Sequence, residues 1–153
     1  MRIVIVEDEA PIREGMEGIL KKLNPSYELA GKAADGIEGL EVIRRVKPDL
    51  IIMDIRMPDM DGLTMLKKLR EEGVASKALI LSAYSDFSYA KQAMELGVST
   101  YLLKPVKIQE LKKVLKQMEE EVQEKNHQGT LLSLESMTRS ALTGILEKTE
   151  ETA

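Results

Sequence analysis

Five residues able to carry chemistry stand where short apolar runs stop. Glu7 and Asp8 follow RIVIV (2–6), Asp54 follows DLIIM (49–53), Ser82 follows ALIL (78–81) and Lys104 follows TYLL (100–103). Three carboxylates gathered in one place repel one another and favour protonation unless a cation joins them. With oxygen ligands and no His or Cys among them, the fitting cation is Mg²⁺, which takes one or two carboxylates, several waters and a phosphoryl oxygen. Asp54, set between such an ion and the Lys104 ammonium, then reads as a carboxylate nucleophile for a phosphoryl group. Mg²⁺ and Lys104 would divide the negative charge of the transferring group, and the Ser82 hydroxyl would donate a hydrogen bond to one of its oxygens.

Taken singly, each residue has a plainer role. Glu7, Asp8 and Glu9 suit the positive end of a helix dipole, Asp54 suits the turn that runs through Pro58 and Gly62, and Lys104 suits a strand exit before Pro105. Their coincidence at one edge favours the chemical reading. The Lys104-Pro105 bond is also the kind of peptide in which cis is cheap, so a sharp turn there can aim the lysine back over the site.

The elements that must bring these residues together are legible in the apolar patterning. The four runs above and a weaker one, YELAGKA (27–33), do not alternate strictly, as expected of strands covered on both faces of a parallel sheet. Between them, residues 10–23 place Ile12, Met16, Ile19, Leu20 and Leu23 on one stripe, and 36–46 place Ile37, Leu40, Val42, Ile43 and Val46 near one face. Leu63, Leu66 and Leu69 mark a helix over 63–71, Asp86 caps one over 86–96, and a last helix runs from about 106 to 125. Pro11 suits a first helical turn, while Pro25 and Pro48 fall in connections. Five β-α repeats predict an α/β fold whose parallel sheet has right-handed crossovers and helices on both faces. Ligands then bind outside the carboxyl ends of the strands, where the five residues converge.

Composition narrows the classes further. A chain of 153 residues has room for one domain with a core and an appendage. Without cysteine there is no disulfide framework, thiolate metal site or cysteine nucleophile. With neither a signal peptide nor a run of about 18 apolar residues, the expected location is cytoplasmic, with no membrane contact. A net charge of -4, scattered basic residues, four Tyr, one Phe and no Trp argue against direct nucleic-acid binding. The lone His127, in EKNHQG, reads as a solvated loop residue.

With these motifs in order, residues 1–122 resemble the receiver domain of two-component response regulators. IVIVEDEAPIREG resembles the first strand with its acidic pair, LIIMDIRMPDMDG the phosphorylation strand and loop, LSAYSD the hydroxyl-bearing strand end and YLLKP the lysine strand. The resemblance implies a flavodoxin-like (βα)5 doubly wound sheet of order 2-1-3-4-5. It implies that Asp54 accepts a phosphoryl group from a phosphohistidine on a sensor histidine kinase. Asp8 and Asp54 would bind Mg²⁺ directly with the Arg56 backbone carbonyl, and Glu7 would act through water. Ser82 and Tyr101 would form a switch pair, and Lys104 would contact the phosphoryl oxygens. Glu7 and Ser82 stand where Asp and Thr are commoner in the family, and both keep the chemistry.

So read, the protein is a phosphorelay switch that catalyses only its own phosphotransfer and dephosphorylation. Its output is expected to be transcription. SAYSDFSYAKQAMELGVSTYLLKP is most similar to the subgroup with AraC-type DNA-binding output domains. Residues 123–153 are expected to form a helical linker with no output domain, an amphipathic helix running through Leu131, Leu134, Leu142, Ile145 and Leu146. The segment is too short and too acidic for two helix-turn-helix units, so DNA contact would come only through a domain missing from this chain. The stripe Ile108, Leu111, Leu115, Met118 and Val122 is expected to pack on the sheet in its first half and to pair two chains beyond about residue 116. A homodimer could form there, or on the face of the fourth helix, fifth strand and fifth helix.

Other classes fail at particular residues. A haloacid-dehalogenase-like phosphohydrolase needs a second acid two residues after its nucleophile, where this chain has Arg56. A flavodoxin-like FMN binder needs a first loop of Ser, Thr and Gly amides for a phosphate, which EDEAP would repel. A receiver-like fold that only mediates contacts has no need of the complete set of site residues.

Overall fold

The computed structural model describes residues 1–142, with side chains through residue 125. Five strands, β1 (Arg2–Val6), β2 (Glu28–Ala33), β3 (Leu50–Met53), β4 (Lys77–Ser82) and β5 (Thr100–Leu103), form one parallel sheet of order β2-β1-β3-β4-β5. Helices α1 (Ala10–Leu23), α2 (Gly36–Val46), α3 (Gly62–Glu71) and α4 (Phe87–Glu95) connect them, and α5 (Ile108–Leu142) follows β5. The chain divides into units at Lys116 and Gln117; the strands and first four helices lie in the first.

Alternation along the strands assigns their two faces. Val4, Val6, Ile51, Met53, Ala78 and Ile80 pack with Leu40 and Ile43 of α2, Leu66 and Leu69 of α3 and Ala93 of α4. On the other face Ile3, Ile5, Leu50, Ile52, Leu79 and Leu81 are buried, as are Met16 and Leu20 of α1 and Leu111 and Leu115 of α5. Burying an Ile or Leu side chain is worth about 1.5–3 kcal/mol. Both faces of the central strands are therefore strongly held, and the register is set: Val6 lies beside Met53, Met53 beside Ile80, and Ser82 beside Leu103.

Two helix starts are marked as the sequence suggests: Asp86 caps α4, accepting from the Ser88 amide, and Pro11 stands in the first turn of α1. Asp35 and Asp61, not singled out from the sequence, cap α2 and α3, accepting from the amides of Glu38 and Thr64.

Three expectations are corrected. Ile37 is 54% exposed because Gly36 is the residue packed on Met60, and the next position is turned about 100° away from it. Ile108 is 55% exposed because it opens α5 at the carboxyl-end rim, past the strands. His127 lies within α5 rather than in a loop, since a single Gly129 costs a helix only about 1 kcal/mol. The backbone is helical at Leu131, Leu134 and Leu142, whereas Ile145 and Leu146 lie outside the described residues. Among the described residues no helix is long and apolar enough to cross a membrane.

Two glycines respond oppositely to a methyl group. A Cβ on Gly18, mid-α1, would meet nothing within 4 Å, whereas one on Gly36 would stand 2.5 Å from the Met60 carbonyl oxygen. Gly18→Ala should therefore raise stability in urea denaturation by about 0.5–1 kcal/mol. Gly36→Ala should lower it by about 1–3 kcal/mol through overpacking.

Candidate functional site

The sheet's own hydrogen bonds carry each reactive residue to the carboxyl-end rim. Glu7 N–H donates to the Ala33 carbonyl at 3.0 Å, and Asp54 N–H to the Val6 carbonyl at 3.0 Å. Lys104 N–H donates to the Ser82 carbonyl at 2.8 Å. Each pairing extends a ladder past the last assigned strand residue, so backbone position at the site is as firm as in the core.

Four of the five sequence-predicted residues, Glu7, Asp8, Asp54 and Lys104, come together, and Ser82 adjoins them through its carbonyl, which accepts from the Lys104 amide. Lys104 Nζ donates to Asp54 Oδ2 at 2.8 Å and also bonds Glu7 Oε1 directly. Carboxylate oxygens of Glu7, Asp8 and Asp54 lie within 4.8 Å of one another. Asp54 Oδ1 accepts from the Ile55 amide at 2.6 Å. The side chains are partly sealed: relative exposure is 5% for Glu7, 12% for Asp54 and 19% for Lys104. Ser82 is fully buried, its hydroxyl accepting from the Tyr84 amide at 3.2 Å. The half-buried Tyr101 donates its hydroxyl proton to the Tyr84 carbonyl. The Tyr84 peptide thus joins the two residues of the expected switch pair, and burial raises the Tyr101 phenol.

The loop after Asp54 is folded tightly over it. Gly62 N–H donates to the Ile55 carbonyl at 2.7 Å, and a Cβ on Gly62 would collide with the Asp54 carbonyl oxygen. Only glycine lets α3 begin so close behind the carboxylate. Behind the acidic group a cavity of about 460 Å³ lies between sheet and α1, lined by Ile5, Met16, Ile52, Leu81 and Val106. The same cavity is also lined by Glu7, Asp54 and Lys104.

Charge is unbalanced in this arrangement. Two unit charges 4.8 Å apart repel by about 3 kcal/mol at an effective dielectric of about 20. With all three acids ionised, one ammonium among three carboxylates leaves two negative charges uncompensated. Glu7 Oε2 is moreover buried without a hydrogen-bond partner. An all-oxygen donor set with excess negative charge and an orphaned buried carboxylate oxygen fits a hard divalent cation such as Mg²⁺.

Titration follows the same imbalance. Burial raises the Glu7 carboxyl to about 7; the Lys104 hydrogen bond works against the rise and the Asp54 charge adds to it. For Lys104, burial disfavours the ammonium, but its bonds to Asp54 and Glu7 win and raise it overall.

Arg56, two residues past Asp54, lies on the rim with its guanidinium carbon 3.9 Å from the centre of the Tyr84 ring. Its Nε donates to the Tyr89 hydroxyl at 2.9 Å. The part played by Tyr89 is not legible in the sequence, because its partner is 33 residues away and no local spacing relates them. Arg13, whose guanidinium donates to the Glu7 carbonyl at 2.6 Å, was likewise hidden among the charges of α1.

An unfolded glutamate titrates near 4.3, so between about 4.5 and 7 the folded chain holds a proton that the unfolded chain releases. Stability of the metal-free protein should fall as pH rises through that window and level off above it. Urea unfolding from about pH 5 to about pH 8 checks this, with Glu7→Gln expected to flatten the slope. Equal slopes in the two proteins would remove Glu7 as the cause.

The comparisons with known proteins agree with this geometry. Residues 3–116 match the family model described as "Response regulator receiver domain". The chain is 39% identical over 110 residues to the uncharacterized transcriptional regulatory protein YesN of Bacillus subtilis, covering 72% of this chain and 30% of that protein. It is 35% identical over 116 residues to a protein-glutamate methylesterase/protein-glutamine glutaminase of Methanospirillum hungatei, covering 74% and 34%. Among solved structures, the REC domain of AraT, a response regulator from Geobacillus stearothermophilus, superposes with a TM-score of 0.73 at 36% identity, covering 82% of this chain and 97% of that one. The chain spans about a third to a half of the curated relatives it matches. The parallel sheet of order 2-1-3-4-5, the acidic group at its carboxyl end and these matches agree: the chain belongs to the response regulator receiver domain family.

Proposed function

We propose that this receiver domain is a phosphorylation-controlled switch in which Asp54 accepts a phosphoryl group from a phosphohistidine on a sensor histidine kinase. The observation that carries the reading is the position of Asp54, with the Lys104 ammonium 2.8 Å from one oxygen and two further carboxylates beside it. Asp8 and Asp54, with the Arg56 backbone carbonyl, would hold Mg²⁺, and Glu7 would contribute through water. When bound, the ion supplies positive charge against the carboxylates and the transferring group.

In the transfer, an Asp54 carboxylate oxygen attacks phosphorus in line with the P–N bond. That bond breaks as the P–O bond forms, and the imidazole leaves with the electron pair and takes a proton. Lys104 shifts its hydrogen bond toward a phosphoryl oxygen and offsets the charge that Asp54 alone had carried. Ser82 gives up the Tyr84 amide and donates to a second phosphoryl oxygen. Tyr101, already packed against the core with its hydroxyl on the Tyr84 carbonyl, is bound to the same loop and responds to its movement. Ligation at Asp54 is thereby converted into a population shift at the β4–α4 connection.

The face that would read this shift is apolar. Phe87 and Met94 of α4, Leu103 of β5 and Ile108 of α5 are 83%, 79%, 50% and 55% exposed. Large apolar groups left exposed to this degree suit an interaction surface. A second copy of the chain is the partner we assign to this face; the stripe expected to pair two chains beyond about residue 116 is a poorer route, because Met118 and Val122 are already buried in the single chain. The name of YesN supports transcription as the output, and the likeness of SAYSDFSYAKQAMELGVSTYLLKP supports an AraC-type DNA-binding module. DNA contact would come through such a module and not through this acidic domain, which acts in the cytoplasm.

Incubation with Mg²⁺ and acetyl phosphate should give a single phosphoryl adduct by intact mass, absent in Asp54→Ala. No adduct on the wild type, or an undiminished one on the variant, would sink the reading. Beryllofluoride with Mg²⁺ should raise the solution mass toward that of a dimer in light scattering. An unchanged mass would remove phosphorylation-driven dimerisation.

A further inference from the structure

Arg56 is held from two directions. Its guanidinium carbon lies 3.9 Å from the Tyr84 ring centre and 5.6 Å from that of Tyr89, and its Nε bonds the Tyr89 hydroxyl at 2.9 Å. Tyr84 belongs to the β4–α4 connection, whereas Tyr89 is on α4 itself, half-buried and packed against the core. An exposed arginine on an exposed ring is ordinarily a loose contact. Here the second ring is anchored, and the donor bond fixes the rotation of the guanidinium about its stem.

The backbone of the same residue follows the phosphoacceptor closely in the chain. Arg56 follows Asp54 by two residues, and the intervening Ile55 is fully buried, its amide bonded to Asp54 and its carbonyl to Gly62. With Ile55 pinned and the Arg56 side chain held by two tyrosines, the backbone at Arg56 is restrained on one side by the loop and on the other by its own side chain.

We propose that Tyr89, through Arg56, is a positioning residue for the divalent cation, so that the position of α4 and the affinity for Mg²⁺ at the phosphoacceptor are linked before any phosphoryl transfer. Outer-shell groups that orient a ligand act on metal affinity without touching the metal. Coupling between two sites is reciprocal. Whatever seats on the Phe87 and Met94 side of α4 therefore changes cation binding, and cation binding changes α4. This route differs from the Ser82 and Tyr101 pair, because it runs through the loop after β3 and needs no phosphate. It presupposes that the acidic group holds Mg²⁺ with help from the Arg56 carbonyl.

The test follows Mg²⁺ binding to unphosphorylated, full-length chain by amide NMR shifts of residues 54–56, with α4 hydrogen exchange measured in parallel. Arg56→Ala keeps the backbone carbonyl and removes the tether, and it should weaken Mg²⁺ binding about tenfold. Tyr89→Phe keeps the ring and removes only the hydroxyl, and it should weaken binding in the same direction by less. In the wild type, Mg²⁺ should slow exchange of the α4 amides, and that response should vanish in Arg56→Ala. Wild-type affinity in both variants overturns the tether, even if their thermal stability falls, since a merely structural contact would move stability alone. No Mg²⁺ binding by the wild type overturns the metal-site reading beneath it. Binding in the wild type together with an α4 response that survives in Arg56→Ala overturns the linkage alone.

Discussion

One ammonium facing three carboxylates is the interaction around which this domain is arranged. Lys104 reaches Asp54 across a sequence separation of 50 residues and Glu7 across 97. In the sheet, β5 is two strands from β3 and three from β1, which puts about 10–15 Å of backbone spacing between the lysine and its partners. A long flexible stem spans that gap. Its methylenes can lie along apolar surface while the charged head meets the acids. The ion pairs are incomplete, because Glu7 Oε2 is buried and unbonded. Breaking one partner of a buried ion pair is costly, and leaving one carboxylate without a partner costs in the same way.

That residual cost gives the site its responsiveness. A domain satisfied in its resting state would have no reason to change on gaining a cation or a phosphoryl group. Here the charge excess, the orphaned oxygen and the raised Glu7 carboxyl all point toward added positive charge. The burial of Glu7 sharpens the effect, since charges taken out of water are screened less. The surrounding scaffold bears the strain: central strands buried on both faces and a loop closed by Gly36 on Met60 and by Gly62 on Asp54.

The Tyr84 peptide is where the site meets the rest of the molecule. Its amide holds Ser82, its carbonyl holds Tyr101 and its ring lies against Arg56. Three contacts made by one residue cannot shift independently. Ser82, Tyr101 and Arg56 therefore share one residue of the β4–α4 connection as a neighbour.

The element order, the placing of reactive residues at strand ends and the Asp86 cap were legible in the sequence because each is set by short-range rules. Apolar runs without alternation mark doubly covered strands, and Asp before an apolar periodic segment marks a cap. Parallel topology then places every strand's carboxyl end on one rim, so Glu7, Asp8, Asp54, Ser82 and Lys104 could be gathered from their positions alone. Ile37 and Ile108 were misplaced by periodicity, because a helical stripe says which residues share a face and not where the strands beneath it end. The direct Lys104–Glu7 bond, the Tyr84 bridge and the grip of Tyr89 on Arg56 were decided only in three dimensions. Each joins side chains 17 to 97 residues apart through rotamers and loop curvature. No periodicity encodes those contacts, since they arise from packing after the backbone has already found its sheet.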